Sequence, residues 1–129
     1  MENSQVPDVV RVLIADDHPL FAEALRVTLA TDPRLQVIGV ARDGSEATEL
    51  AQTLKPDITL MDIAMPVMDG FEATRKLREV DPDACVLMLT GSNSRLDIDR
   101  ARLAGAAGYV TKDRIALDLV PAIHNVVSR

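Results

Sequence analysis

Residues Asp57-Ile58-Thr59-Leu60-Met61-Asp62-Ile63-Ala64-Met65-Pro66-Val67-Met68-Asp69-Gly70 decide how the rest of the chain is read. Ile58, Thr59, Leu60 and Met61 are β-formers or large apolar groups, and together they predict a buried strand. That strand stops on a carboxylate, Asp62, with Pro66 and the turn pair Asp69-Gly70 close behind. A buried strand has little reason to end in an acid unless the acid points into a site. Asp62 is therefore the first candidate for a working residue.

Outward from this stretch the chain repeats one pattern. On the amino-terminal side, Val9 to Ala15 is an apolar run ending at Asp16-Asp17, and His18-Pro19 opens a helix. Leu20, Phe21, Ala24, Leu25, Thr28 and Leu29 are expected on one face of that helix. Leu35 to Arg42 predicts a second strand, and Asp43-Gly44-Ser45 a turn and cap. Ala47, Leu50, Ala51 and Leu54 mark the next helical face. On the carboxyl-terminal side, a helix over Gly70 to Val80 carries Phe71, Thr74, Leu77 and Arg78. A fourth strand, Cys85 to Leu89, ends at Thr90-Gly91, and a mostly polar helix over residues 95 to 104 is expected to pack lightly. A fifth strand, Ala107 to Thr111, ends at Lys112. The last helix, Ile115 to Val127, contains Pro121, which should kink it or weaken it. Residues 1–8 read as a disordered lead and 9–129 as one domain.

Strand and helix alternate five times, the signature of a parallel sheet covered by helices on both faces. Sites in such folds gather at the carboxyl ends of the strands. That rule brings Asp16 and Asp17, Asp62, Thr90 and Lys112 to one edge.

Composition limits the alternatives. The chain has 129 residues, enough for one domain with a core, and 47% of them are hydrophobic, which argues against disorder. A formal net charge of −6 without a basic stripe argues against direct nucleic-acid binding. The single cysteine, Cys85, cannot form an internal disulfide and reads as a small core residue in a reducing compartment. No basic-then-apolar leader and no bilayer-length apolar run is present, so a soluble, cytoplasmic protein without membrane contact is expected.

Three carboxylates brought together repel one another and call for a cation. Hard oxygen donors suit Mg²⁺, and the two histidines and one cysteine offer no zinc set. A lysine and a threonine hydroxyl beside them would bind an incoming anion. Together these groups describe phosphoryl transfer, with Asp62 as nucleophile; no glycine-lysine nucleotide loop is present.

The phrases Leu13-Ile14-Ala15-Asp16-Asp17-His18, Leu60 to Gly70, Leu89-Thr90 and Gly108-Tyr109-Val110-Thr111-Lys112 resemble the receiver domain of bacterial two-component response regulators. The match runs from Val10 to Val127, and Asp-Asp-His-Pro-Leu with Tyr-Val-Thr-Lys-Asp is similar to NarL/FixJ-type receivers in particular. The resemblance implies a flavodoxin-like, doubly wound α/β fold: a five-stranded parallel sheet in the order 2-1-3-4-5, with five helices. It implies that Asp62 accepts a phosphoryl group from the phosphohistidine of a sensor histidine kinase or phosphotransfer protein. It also implies that Asp17 and Asp62 ligate Mg²⁺, with Asp16 acting through water and the backbone carbonyl of Ala64 contributing. Thr90 and Lys112 would bind the phosphoryl oxygens, and Tyr109 would change rotamer with Thr90. A homodimer on phosphorylation, and a DNA-binding output domain outside this chain, are further implications. His18 reads as the residue that opens the first helix.

Two other functions share these residues. An aspartate-nucleophile phosphohydrolase resembles the site chemically, but such enzymes usually carry a second aspartate two residues after the nucleophile, where this chain has Ala64. A receiver-fold scaffold that signals without phosphate would not need the acids, threonine and lysine together. Ala64 and Ser92 leave the lifetime of a phosphoryl group open, and Asp113 stands where many receivers have proline.

Overall fold

The structure, a computed structural model, describes residues 9–128. The segment read as a disordered lead, residues 1–8, lies outside the described residues. Five strands alternate with five helices: β1 (Val10–Ala15), α1 (Pro19–Leu29), β2 (Leu35–Ala41), α2 (Gly44–Leu54), β3 (Ile58–Asp62), α3 (Gly70–Val80), β4 (Val86–Thr90), α4 (Arg95–Ala104), β5 (Gly108–Thr111) and α5 (Ile115–Val127). A single 3₁₀ turn, Lys112–Arg114, joins β5 to α5. All strand pairs are parallel and the order is β2-β1-β3-β4-β5, as the alternation and the resemblance predict. The chain switches direction between β1 and β3, so the carboxyl ends of those two strands flank the crevice where such folds place their sites.

The sheet separates two cores because side chains alternate along each strand. Val12 and Ile14 of β1, Leu60 of β3, and Leu87 and Leu89 of β4 face α1 and α5, where they meet Leu25, Leu29, Leu119 and Ile123. Leu13, Ala15, Met61, Val86 and Met88 face the other way, toward Ala47 and Ala51 of α2, Phe71 and Leu77 of α3, and Ala101 of α4. Every residue of β3 and β4 is buried. This accounts for their continuous apolar sequences: a central parallel strand has no solvent face.

Helix starts follow from local chemistry. The carboxylates of Asp43 and Asp69 accept from the backbone N–H of Glu46 (2.8 Å) and Glu72 (2.9 Å), capping α2 and α3. The hydroxyl of Ser94 accepts from Asp97 N–H at 3.2 Å, capping α4. His18 makes no side-chain cap on α1, which instead begins on Pro19.

Two expectations are refined and a third is met. The buried stripe of α1 is Ala22, Leu25 and Leu29, while Leu20 is 88% exposed and Ala24 faces solvent. Leu20 and Ala24 lie on the turn of helix opposite that stripe, a placement that the apolar content of the segment does not distinguish. Helix α5 runs unbroken through Pro121. Pro121 and Leu117 are both exposed, so the carbonyl that loses its N–H partner is open to water. Helix α4 buries Ala101 and leaves Leu96 and Leu103 exposed, in keeping with its polar sequence.

Candidate functional site

The carboxyl edge of the sheet collects the acids. β1 hands the chain directly to Asp16 and Asp17, and β3 ends on Asp62. Asp16 is 1% exposed and Asp62 2% exposed, a depth at which a carboxylate needs partners. β4 ends on buried Thr90, whose register partner is Thr111, so β5 delivers Lys112 to the same edge. The Lys112 ammonium lies 2.9 Å from Asp62 Oδ1 and 3.9 Å from Asp16 Oδ2. Its other neighbour is the ring of Phe21 on α1, 4.5 Å from the ring centroid, a cation–π contact that steadies the charge over the site.

One ammonium does not satisfy three acids. Asp16 Oδ2, Asp17 Oδ1 and Asp62 Oδ2 are buried without a hydrogen-bond partner. Burial pushes the Asp62 carboxyl above the ordinary carboxylate range; the hydrogen bond from Lys112 opposes this, the nearby Asp16 charge adds to it, and a hydrogen bond from the Ala64 backbone opposes it further. Buried, unpartnered oxygens cost stability and mark a place where a ligand completes the structure. The donor set is hard, anionic oxygen, which fits Mg²⁺: Asp16, Asp17 and Asp62 would hold the ion.

The loop from Asp62 to Gly70 is held tightly. Gly70 N–H donates to Ile63 O at 2.8 Å, and a Cβ on Gly70 would lie 2.2 Å from the Asp62 carbonyl oxygen, closer than any side chain allows. Met68 N–H donates to Pro66 O at 2.7 Å across Val67, whose φ of 69° is unusual for a β-branched residue. Ala64 is exposed at the start of this loop.

Two expected partners stand slightly apart. The Thr90 hydroxyl donates to Ser92 O at 2.6 Å and accepts from Ser92 N–H at 3.0 Å, so it is engaged with its own loop. Tyr109 is 42% exposed and borders a cavity of about 200 Å³ between α4 and β5, which Ile98, Ala101 and Arg102 also line. The sequence placed His18 at the start of α1, and its backbone N–H does donate to Asp16 Oδ1 at 2.8 Å. Its ring does something the sequence did not announce. Nδ1 lies 3.3 Å from Asp16 Oδ1 and 3.1 Å from Asp17 Oδ1, and atoms of Asp16, Asp17, His18 and Asp62 all fall within 4.8 Å of one another. The available signal was its position directly after the acid pair, just ahead of the proline that fixes the turn.

A doubly wound parallel sheet with its acids at the β1/β3 switch point defines the flavodoxin-like class of α/β domain. Within that class, residues 12–124 match the family model of the response regulator receiver domain, and the chain belongs to that family. It is 42% identical over 118 residues to the response regulator GacA of Pseudomonas aeruginosa, covering 92% of this chain and 55% of that protein. It is 38% identical over 122 residues to the transcriptional regulatory protein DegU of Brevibacillus brevis, covering 94% of this chain and 52% of DegU. The chain thus spans about half the length of these curated relatives. Among solved structures, the signal receiver domain of NarL from Mycobacterium tuberculosis superposes with a TM-score of 0.88 at 34% identity, over 94% of this chain and 98% of that one. A LuxR-family two-component response regulator from Aurantimonas superposes with a TM-score of 0.90 at 36% identity, over 93% of this chain and 86% of that one. The chain is a receiver domain of a two-component response regulator. Among the described residues, no helix is long and apolar enough to cross a membrane.

Proposed function

We propose that Asp62 accepts a phosphoryl group from the phosphohistidine of a sensor histidine kinase or phosphotransfer protein. The observation that carries this reading is the Asp62 carboxylate itself: buried at the end of a central strand, one oxygen on Lys112 at 2.9 Å and the other unpartnered. In the transfer, the Asp62 oxygen bonds to phosphorus as the donor's P–N bond breaks, and the departing imidazole keeps the bonding pair and takes up a proton. Mg²⁺ held by Asp17, Asp62, the Ala64 carbonyl and, through water, Asp16 would neutralise charge on the transferred group. Lys112 is close enough to move from the carboxylate to a phosphoryl oxygen. Thr90 can serve the same group once its hydroxyl leaves Ser92, which would alter the loop leading into α4. Tyr109, beside the α4/β5 cavity, is placed to follow that loop.

This makes the domain a switch in the cytoplasm that catalyses only its own phosphorylation and dephosphorylation. Its output is a changed surface for a partner or a second copy, controlling a DNA-binding domain outside this chain. The sequence two residues after the acceptor, Ala64, supplies no acid or base for turnover of small phosphate esters. Incubation with acetyl phosphate and Mg²⁺ should add one phosphoryl group by intact mass. Asp62→Asn should add none; equal labelling of Asp62→Asn would refute the assignment.

A further inference from the structure

We propose that the groove between α3 and α4 docks an acidic segment of a partner protein, one that carries carboxylates beside an apolar anchor side chain. The inference goes beyond the acceptor reading and does not depend on it.

The groove, about 230 Å³, is lined by Phe71 and Arg75 of α3 and by Arg100, Leu103 and Ala104 of α4. It shares no lining residue with the α4/β5 cavity beside Tyr109. Helical spacing builds its walls: Phe71 and Arg75 are four residues apart on α3, as are Arg100 and Ala104 on α4, so each pair lies along one side of its helix. Phe71 is buried, and the guanidinium carbon of Arg100 lies over its ring, 4.1 Å from the centroid. That cation–π contact ties the two helices together and orders a side chain that otherwise reaches into solvent.

Both arginines lack an anionic partner. Among the described residues, the guanidinium of neither Arg75 nor Arg100 forms an ion pair or a hydrogen bond. Nearby groups are engaged elsewhere. Asp99, beside Arg100 in the sequence, pairs with Arg102 at 3.9 Å, and Arg78 of α3 donates to the carbonyls of Pro82 and Ala84. Stacking on Phe71 occupies one face of the Arg100 guanidinium and leaves the N–H donors along its edge unused. Two such forks in one groove reverse the local charge of a chain whose net charge is −6. Carboxylates match them, because a guanidinium binds a carboxylate through two parallel N–H bonds.

The apolar wall selects the kind of occupant. Leu103 borders the groove yet is 86% exposed. A free anion would use the arginines and leave Leu103 in water, whereas a peptide segment covers both. Arginine and aromatic side chains around an apolar centre are the composition of protein-binding hot spots. A second copy of this chain is the poorer match, since two molecules of the same net charge repel.

The test uses the full chain and a phage-displayed library of random dodecapeptides, with enriched peptides then measured by fluorescence anisotropy. Peptides rich in Asp and Glu around a Leu, Ile or Phe should be enriched. Their binding should weaken by about tenfold or more in the double variant Arg75→Ala/Arg100→Ala, and by about threefold in Leu103→Ala. All three side chains are exposed, so the thermal midpoints of these variants should stay within a few degrees of wild type. Binding should also weaken as salt is raised. No enrichment over an unrelated immobilised protein overturns the proposal, as does enrichment of neutral or basic peptides. Acidic peptides that bind the double variant as tightly as wild type overturn it as well. Displacement of the peptide by excess sodium phosphate, with binding unchanged in Leu103→Ala, would reduce the groove to a site for free anions. A wild-type dimer in sedimentation that the double variant lacks would give the groove to a second copy; either result overturns the docked segment. Labelling of Asp62 by acetyl phosphate is measured separately, so failure of the docking site leaves the acceptor reading standing, and the reverse holds too.

Discussion

Two turns of this protein each present an aspartate beside a basic side chain, and they use it in opposite ways. In the turn after α1, Asp32 has every partner it needs. Its Oδ1 accepts Arg34 N–H at 2.9 Å, and its Oδ2 pairs with Nε2 of His124 on α5 at 2.7 Å. The backbone hydrogen bond from Arg34, then the one from His124, hold its carboxyl below the ordinary range. At the end of β3, Asp62 is buried with one oxygen left over, and burial raises its carboxyl instead. The satisfied acid acts as a strut between a turn and the last helix. The unsatisfied one keeps a buried oxygen without a partner, at a cost in stability.

The largest test of this contrast is on the loop that holds Asp62. Gly70→Ala should destabilise the domain by about 3 kcal/mol in urea, because the added Cβ meets the Asp62 carbonyl and Ile63 Cα rather than a side chain that can yield. A much smaller loss would mean that the loop adjusts freely and does not fix the Asp62 backbone.

Next in size is Lys112→Met, which removes the ammonium shared by Asp62 and Asp16. A loss of about 2 kcal/mol at neutral pH is expected, below that for a fully buried pair because the Lys112 side chain is 26% exposed. An unchanged midpoint would show that the acids do not depend on it.

Asp62→Asn should go the other way and stabilise by about 1 kcal/mol at pH 7, since the amide carries no charge to desolvate. The sign of its pH dependence follows from the raised carboxyl. Asp62 costs the fold nothing below the ordinary carboxylate value near ~4, and the cost grows as pH rises through the higher folded value. The advantage of Asp62→Asn should therefore shrink as urea melts are taken from pH 7 down to about 4. An advantage constant with pH would show that ionisation of Asp62 is not its source.

The smallest effect belongs to the Asp32 turn. His124→Gln should shift the thermal midpoint by only a few degrees, as expected of a partly exposed pair. Here the pH dependence has the opposite sign: the Asp32 contribution is present above ~4 and is lost as pH falls through its lowered folded value. Removing the Asp32 strut and removing the Asp62 carboxylate should thus leave opposite marks on the pH profile.

Much of this was legible in the residues. Ile58 to Met61 followed by Asp62 reads as a buried strand ending in an acid because both faces of a central parallel strand are covered, which leaves no polar alternation to obscure it. Asp16, Asp17, Thr90 and Lys112 follow the same strand-end rule, and all lie at the carboxyl edge. Helix faces were harder. The apolar residues of α1 outnumber the buried ones, so Leu20 was assigned inward although it is 88% exposed. The partners of polar groups were hardest: nothing in Thr90-Gly91-Ser92 says that the hydroxyl turns to the Ser92 backbone at 2.6 Å.

By itself, then, the sequence determined the alternation of strands and helices, the positions at which strands end, and the residue types available there. Those depend on periodicity and turn chemistry over a few neighbours. Only the tertiary structure decided that Lys112 reaches Asp62 at 2.9 Å, that the His18 ring lies over two acids, and which carboxylate oxygens are left without partners. Sheet register brings chain-distant groups together, and a side chain's choice of partner is settled by the space and the competing donors around it after the sheet has formed.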